Sequence, residues 1–216
     1  MRAYQKLIAN DGYEVALFPL ESLYMSQDEG GDYSHQGTYN IDFLGYNTSG
    51  GRIFQAPLYA PCTMKVVATL LNYAGGNGVI FESVNKVHLA NGQLDYLTIS
   101  FAHDSAPPIT IIGQVVQQGE LCYHTGTYGN VTGDHVHSCC GQGHYQGFTD
   151  RGGHQDLTNR IHYWDAVYVN DTSILQGYNH NWLTYGIFYN MNKSKFSWVL
   201  YANKLRNKSQ KFRNVK

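Results

Sequence analysis

The chain has 216 residues, enough for one ordinary domain with a real core plus an extension, and it carries 18 Tyr, 9 Phe, 23 Gly and only 14% charged residues. Its formal net charge of −1 conceals a split, because residues 176–216 hold eight Lys/Arg and no Asp/Glu while the remainder holds 7 basic and 16 acidic groups. No stretch approaches the length of a membrane helix, no apolar run near Met1 reads as a signal peptide, and P-loop, Gly-x-Ser-x-Gly, His-Glu-x-x-His, zinc-ribbon and nucleic-acid motifs are all missing.

Tyr, Val, Ile and Thr among many Gly and Asn turn signals favour a β-rich fold. Residues 1–30 read as a lead-in, with a short strand from Tyr13 ended by Pro19 and a turn cluster at Asp28-Glu29-Gly30-Gly31-Asp32. From Tyr39 to Phe43 the apolar residues alternate as in a half-buried strand, and residues 45–51 form a polar loop. Met64 to Ala68 and Val79 to Ser83 are the next predicted strands. Asn91-Gly92 is a hairpin signal separating Val87-His88-Leu89 from Tyr96 to His103. Pro107-Pro108 interrupts, and Ile109 to Ile112 is expected to resume a strand. Gly126, Gly129 and Gly133 punctuate a loop leading into His135, residues 141–162 read as a long loop, and Tyr163 to Val169 closes the body as a last strand or short helix. The charge shift places a boundary near residue 175, giving a lead-in (1–30), a main domain (31–175) and a basic, aromatic C-terminal extension (176–216).

Cys62, Cys122, Cys139 and Cys140 include no Cys-x-x-Cys pair, which argues against a zinc knuckle, and adjacent Cys139-Cys140 can hardly bond to each other without strain. Free thiols are expected of a chain made in the cytoplasm.

The stretch richest in chemistry is Gly133-Asp134-His135-Val136-His137-Ser138. Residues two apart on a strand point to one face, so both imidazoles would look into one cavity. With them belong His35, Asp42 and His103, each at a predicted strand end or beside a glycine loop. Taken alone, such a His is more often a surface or hydrogen-bonded residue. Asp104 and Asp134 read as solvated loop acids that could at most orient an imidazole. His144, His154 and His162 match no ligand spacing, and His88, His124 and His180 read as structural.

The pieces Ser34-His35 to Asp42, Tyr59-Ala60-Pro61, Ser100-Phe101-Ala102-His103, Val116-Gln117-Gln118-Gly119-Glu120 and Gly126 to His137 occur in an order that resembles the lysostaphin-type, LytM-like zinc endopeptidases of peptidoglycan. The resemblance implies an antiparallel-sheet LytM/lysostaphin-type peptidase fold with long loops around a groove, and one Zn²⁺ held by His35, Asp42 and His137. It implies catalytic roles for His103 and His135, and peptide bonds of the bacterial wall as substrate. Two imidazoles and a carboxylate suit a catalytic zinc, which keeps one position open. Here His and Asp stand seven apart where the family usually has four, so a turn or bulge at Gly37 is required to bring them back together. Ser138-Cys139-Cys140 replaces the usual aromatic and acid, and zinc capture by a thiolate is a weaker alternative. A phage- or mobile-element-encoded lysin is expected, released to the wall or carried on a virion. The alternative is a non-catalytic wall-binding or virion structural protein on the same fold. The basic end, with Trp182 and Trp198, is expected either to pack as a hairpin with a solvated cationic end or to engage anionic wall polymers or lipid headgroups.

Overall fold

The computed structural model describes residues 5–31, 33–47, 49–73, 76–151 and 154–168. The expected readings of 176–216 lie outside these. In chain order the strands are β1 (Met25–Gln27), β2 (Ile41–Phe43), β3 (Pro57–Tyr59), β4 (Met64–Tyr73), β5 (Gly76–Ser83), β6 (Val87–His88) and β7 (Leu94–Asp95). Then follow β8 (Leu97–Asp104), β9 (Val115–Val116), β10 (Leu121–His124), β11 (Val136–Gln142), β12 (Phe148–Arg151), β13 (His154–Leu157) and β14 (Arg160–Ile161), before the short helix α1 (Tyr163–Ala166).

The architecture is mainly antiparallel β. Seven strands run in the order β1-β2-β11-β8-β5-β4-β9, with β14 joining β11 as the eighth member. The two faces of this sheet have different jobs, because side chains alternate along each strand. Ile41, Phe43, Val79, Phe81, Ile99, Phe101, Val136 and Cys140 fill the main core and are fully buried. Burial of each of these large side chains is worth roughly 1.5–3 kcal/mol. Asp42, His137 and Cys139 fall on the opposite face, which Ile80 and Leu157 also share.

Two segments depart from the sequence reading. Residues 141–162 are not a long loop: β12 and β13 form a hairpin, and Leu157 packs with Ile80 and Cys139 in a second apolar cluster. The abundance of Gly, Gln, His and Asp there hid a strand that buries only one apolar face. Conversely, Ile109, Ile111 and Ile112 are 52%, 72% and 64% exposed and form no strand, since the chain pairs again only at Val115–Val116 against β4. The Asn91-Gly92 turn forms as expected, with Gly92 at φ +90° and Leu89 N donating to Gln93 O. The early segment is bound into the body by Gln118, whose buried amide accepts from Leu7 N and donates to Val15 O and Pro61 O.

Candidate active site

The register of β2 on β11 places Asp42 directly opposite His137. On that shared face Asp42 Oδ1 accepts from His137 Nδ1 at 2.9 Å. His35 arrives from outside the sheet. Gly37 at φ +70° reverses the chain, Thr38 donates to His35 O through both its N–H and its hydroxyl, and β2 begins three residues later. The turn closes the seven-residue step: His35 Nε2 lies 3.4 Å from Asp42 Oδ1. His35 Nδ1 donates to the Asp28 carbonyl, which leaves Nε2 as the nitrogen facing the carboxylate.

One ligand atom from each of His35, Asp42 and His137 lies within 4.8 Å of the others, and all three residues are buried. Ligands about 2.1 Å from a tetrahedral ion stand about 3.4 Å apart, so two imidazoles and a carboxylate at these separations fit Zn²⁺ in donor type and spacing. Burial alone would raise the Asp42 carboxyl, but hydrogen bonds and charge from His137 and His35 hold it well below the usual carboxylate range. Gln27 Nε2 also donates to Asp42 Oδ2 at 3.3 Å and orients the carboxylate further.

The remaining two candidates stand at the rim. His135 Nε2 is 3.8 Å from Asp42 Oδ2 and His135 Nδ1 donates to Gly133 O. The His103 ring centroid is 4.7 Å from that of His135 and 5.7 Å from that of His137. Leu97, Ile99 and Phe101 face the core, and strict alternation would send His103 the same way. Its backbone instead takes φ +85°, a left-handed conformation uncommon for a side-chain-bearing residue, and the ring joins the site face. His103 Nδ1 donates to Tyr128 O. Burial, then the nearby imidazoles of His137 and His135, push the His103 pKa down to about 3, so this ring stays neutral.

Asp134 is not a solvated loop acid. It is 5% exposed and takes hydrogen bonds from Thr125 Oγ1, Gln55 N and Arg52 Nη2, while Arg52 Nη2 also binds the Asp134 carbonyl. It holds the loop before β11 through backbone and side-chain donors and touches no imidazole in these bonds. Asp104 is also buried: its Oδ1 accepts from Ala106 N, and its Oδ2 lies 3.5 Å from His124 Nδ1. His144 pairs with Glu82, His162 with Glu29 and His88 with Asp11, so these three are dispersed among separate carboxylates. The four cysteines are buried free thiols. Burial holds the Cys139 and Cys140 thiols well above their ordinary value, and neither belongs to the His35/Asp42/His137 group. Gln27 and Arg52 were missed by sequence reasoning, since neither stands in a motif.

No family model matches the chain. It is 31% identical over 176 residues to morphogenesis protein 1 of Bacillus phage B103, a match covering 80% of this chain and 45% of that protein. The chain thus spans less than half the length of this curated relative. Among solved structures the fold is similar to a zinc-containing peptidase from Vibrio cholerae, with 18% identity, 62% of this chain and 42% of that one covered, and a TM-score of 0.43. It is similar to a mutant catalytic domain of the prophage-encoded M23 protein EnpA from Enterococcus faecalis, with 17% identity, coverage of 66% and 93%, and a TM-score of 0.44. The catalytic domain of lysostaphin from Staphylococcus simulans gives 18% identity, coverage of 64% and 85%, and a TM-score of 0.37. Among the described residues no helix is long and apolar enough to cross a membrane.

Proposed function

We propose that the chain is a zinc-dependent endopeptidase that hydrolyses peptide bonds of bacterial peptidoglycan, encoded by a phage or mobile element and acting on the wall after release or as part of a virion. The observation that carries this reading is the meeting of three buried ligand-type side chains, within 4.8 Å, with two further imidazoles at their edge. His35, Asp42 and His137 would hold the ion, which when bound supplies Lewis acidity and eases deprotonation of a water.

The chain's own residues divide the remaining work. His135 is the proton carrier: its Nδ1 is fixed on Gly133 O, its Nε2 lies near Asp42, and its side chain is 13% exposed, open enough to meet substrate. It takes a proton from the attacking water and hands it to the leaving amine. His103, held neutral, does not store that proton. With Nδ1–H committed to Tyr128 O, it keeps a lone pair on Nε2 that can accept a hydrogen bond from water or a substrate N–H. Asp134 and Arg52 position the His135 loop from behind.

The phage relative is named for morphogenesis, which favours a second reading: a virion structural protein whose zinc only stiffens the fold. The two readings separate on purified cell walls. The hydrolase releases new amino groups and clears turbidity, while His135→Ala and Asp42→Ala do neither. A zinc-loaded wild type that releases no amino groups from any wall type would sink the enzyme reading. The basic segment 176–216 supports binding to anionic wall polymers by its charge. Its deletion should weaken wall binding more at low salt than at high salt, and equal binding with and without it would end that part.

A further inference from the structure

Gln155 on β13 is 1% exposed, yet among the described residues neither its Nε2 nor its Oε1 has a hydrogen-bond partner. Buried carboxamides nearly always find partners, because desolvation without a replacement bond costs free energy. Where this one sits gives the reason a meaning. A Cβ on Gly78 would fall 2.8 Å from Gln155 Nε2 and 3.2 Å from its Oε1, so the amide lies on the backbone of β5 and glycine is what admits it. Gly78 lies on the same face as Ile80, between Asn77, which pairs with Asp104, and Val79, which pairs with Phe101.

The sheet register sets Asp42, His137 and Ala102 in one row across the site face, and the next strand brings Gly78, beneath Gln155, against Ala102 and His103 at an irregularity between the Asn77–Asp104 and Val79–Phe101 pairs. Ala102 and Gly78 put almost no side chain between the metal-type cluster and the amide. The next residue along β8 is His103, whose Nδ1 a Cβ at Gly76 would approach to 2.9 Å. This floor is buried, with Ala102 2% exposed, and has imidazoles on one side and Gln155 on the other. Among the described residues the hairpin that carries Gln155 pairs as strands only with itself, while Leu157 anchors its base in the apolar cluster with Ile80 and Cys139, and Asp156 beside Gln155 accepts from Tyr39 N and Arg160 Nη1.

We infer that the Gln155 carboxamide is a substrate-recognition group, satisfied when a peptide unit of the wall substrate lies along the Ala102–Gly78 floor. A carboxamide offers one acceptor and one donor face, the complement of a backbone N–H and C=O. This inference rests on the hydrolase reading above for the identity of the ligand. It assigns Gln155 to binding rather than to the chemical step.

The test uses the zinc-loaded full chain with Gln155→Met, close in length and apolar, and Gln155→Glu, which keeps an acceptor and loses the donor. Soluble stem peptides released from purified walls are the probe, followed both by hydrolysis and by calorimetric binding to each protein. The expected result for Gln155→Met is a KM raised about tenfold with kcat within about twofold, the loss of one hydrogen-bonding group to substrate. Zinc content should not change, and the Tm should hold or rise because an unbonded polar group has been removed. Unchanged KM and unchanged peptide binding, with a raised Tm, would show a merely structural amide and overturn the inference. If the wild type binds the peptides without cleaving them, the hydrolase reading fails separately, and weaker binding by Gln155→Met still supports the inference. No binding by the wild type overturns it. Should Gln155→Met fail to fold, Gln155→Glu carries the same comparison.

Discussion

Asp42 Oδ1 and His137 Nδ1 stand 2.9 Å apart on adjacent strands, as direct partners in the β2–β11 register. The sheet itself therefore fixes two of the three proposed ligands, and only His35 depends on a turn. Asp42→Asn keeps the volume and removes the charge. Its zinc affinity should fall by more than about 100-fold, since outer-shell changes alone cost 10–100-fold. Competition with a chromophoric chelator measures this, and circular dichroism should show the fold intact. Retained affinity would mean the carboxylate is not a ligand.

Asp134 is satisfied by three separate donors, whereas Arg52 spreads over carbonyls and two aromatic faces, at 5.5 Å from the Tyr46 ring and 5.0 Å from that of Phe54. Removing the acid strands more than removing the base. Asp134→Ala should destabilise by roughly 2–4 kcal/mol, because it leaves buried donors and a half-buried guanidinium without their partner. Arg52→Ala should cost less, since Gln55 N and Thr125 still serve Asp134. Urea unfolding of both variants decides the ranking, and a larger loss for Arg52→Ala would contradict this account.

Gly126 couples the two rim histidines. Its N–H donates to His135 O and its carbonyl accepts from His135 N, both at 3.0 Å. On its other side, an added Cβ would come under 3.0 Å from His103 O and Ser105 N, backbone atoms that cannot rotate away. Gly126→Ala must push the His103 and His135 segments apart. A displacement near 1 Å at reacting groups costs on the order of 100-fold in rate. The expected outcome is a kcat lowered by about that factor, with zinc stoichiometry unchanged because the β2–β11 pairing holds His137 against Asp42. A variant with wild-type kcat would remove Gly126 from the argument.

Much of this was legible in residue order. His135 and His137, two apart, needed only the period of a strand to share a face, and Asn91-Gly92 named its own turn. The seven-residue step from His35 to Asp42 was legible as a problem, with Gly37 as its only local solution. His103 was harder: alternation with Phe101 would bury it in the core, and a left-handed φ re-aims it where the Gly76 and Gly126 backbones pack against its segment. Asp134 looked solvated because its partners, Arg52, Gln55 and Thr125, lie 82, 79 and 9 residues away. Gln155 was invisible for the same reason. Its meaning depends on which strand passes beneath it, and that is a property of the sheet order.

The neutrality of His103 makes a prediction about acid stability. An unfolded histidine takes up a proton near pH 6.5, whereas folded His103 does so only near 3. Between these values the unfolded chain binds more protons, so the contribution to stability is complete above about pH 6.5 and is lost as pH falls toward 3. His103→Gln has nothing to protonate. Metal-free wild type, melted at pH 7 and again at pH 4.5, should therefore lose more of its Tm than His103→Gln does over the same interval. Asp42, also depressed, loses its contribution only as pH falls below the ordinary carboxylate range, outside this interval. Equal losses would mean that His103 accepts a proton in the folded state, and the proton-carrying role assigned to His135 would then have to be shared between the two rings.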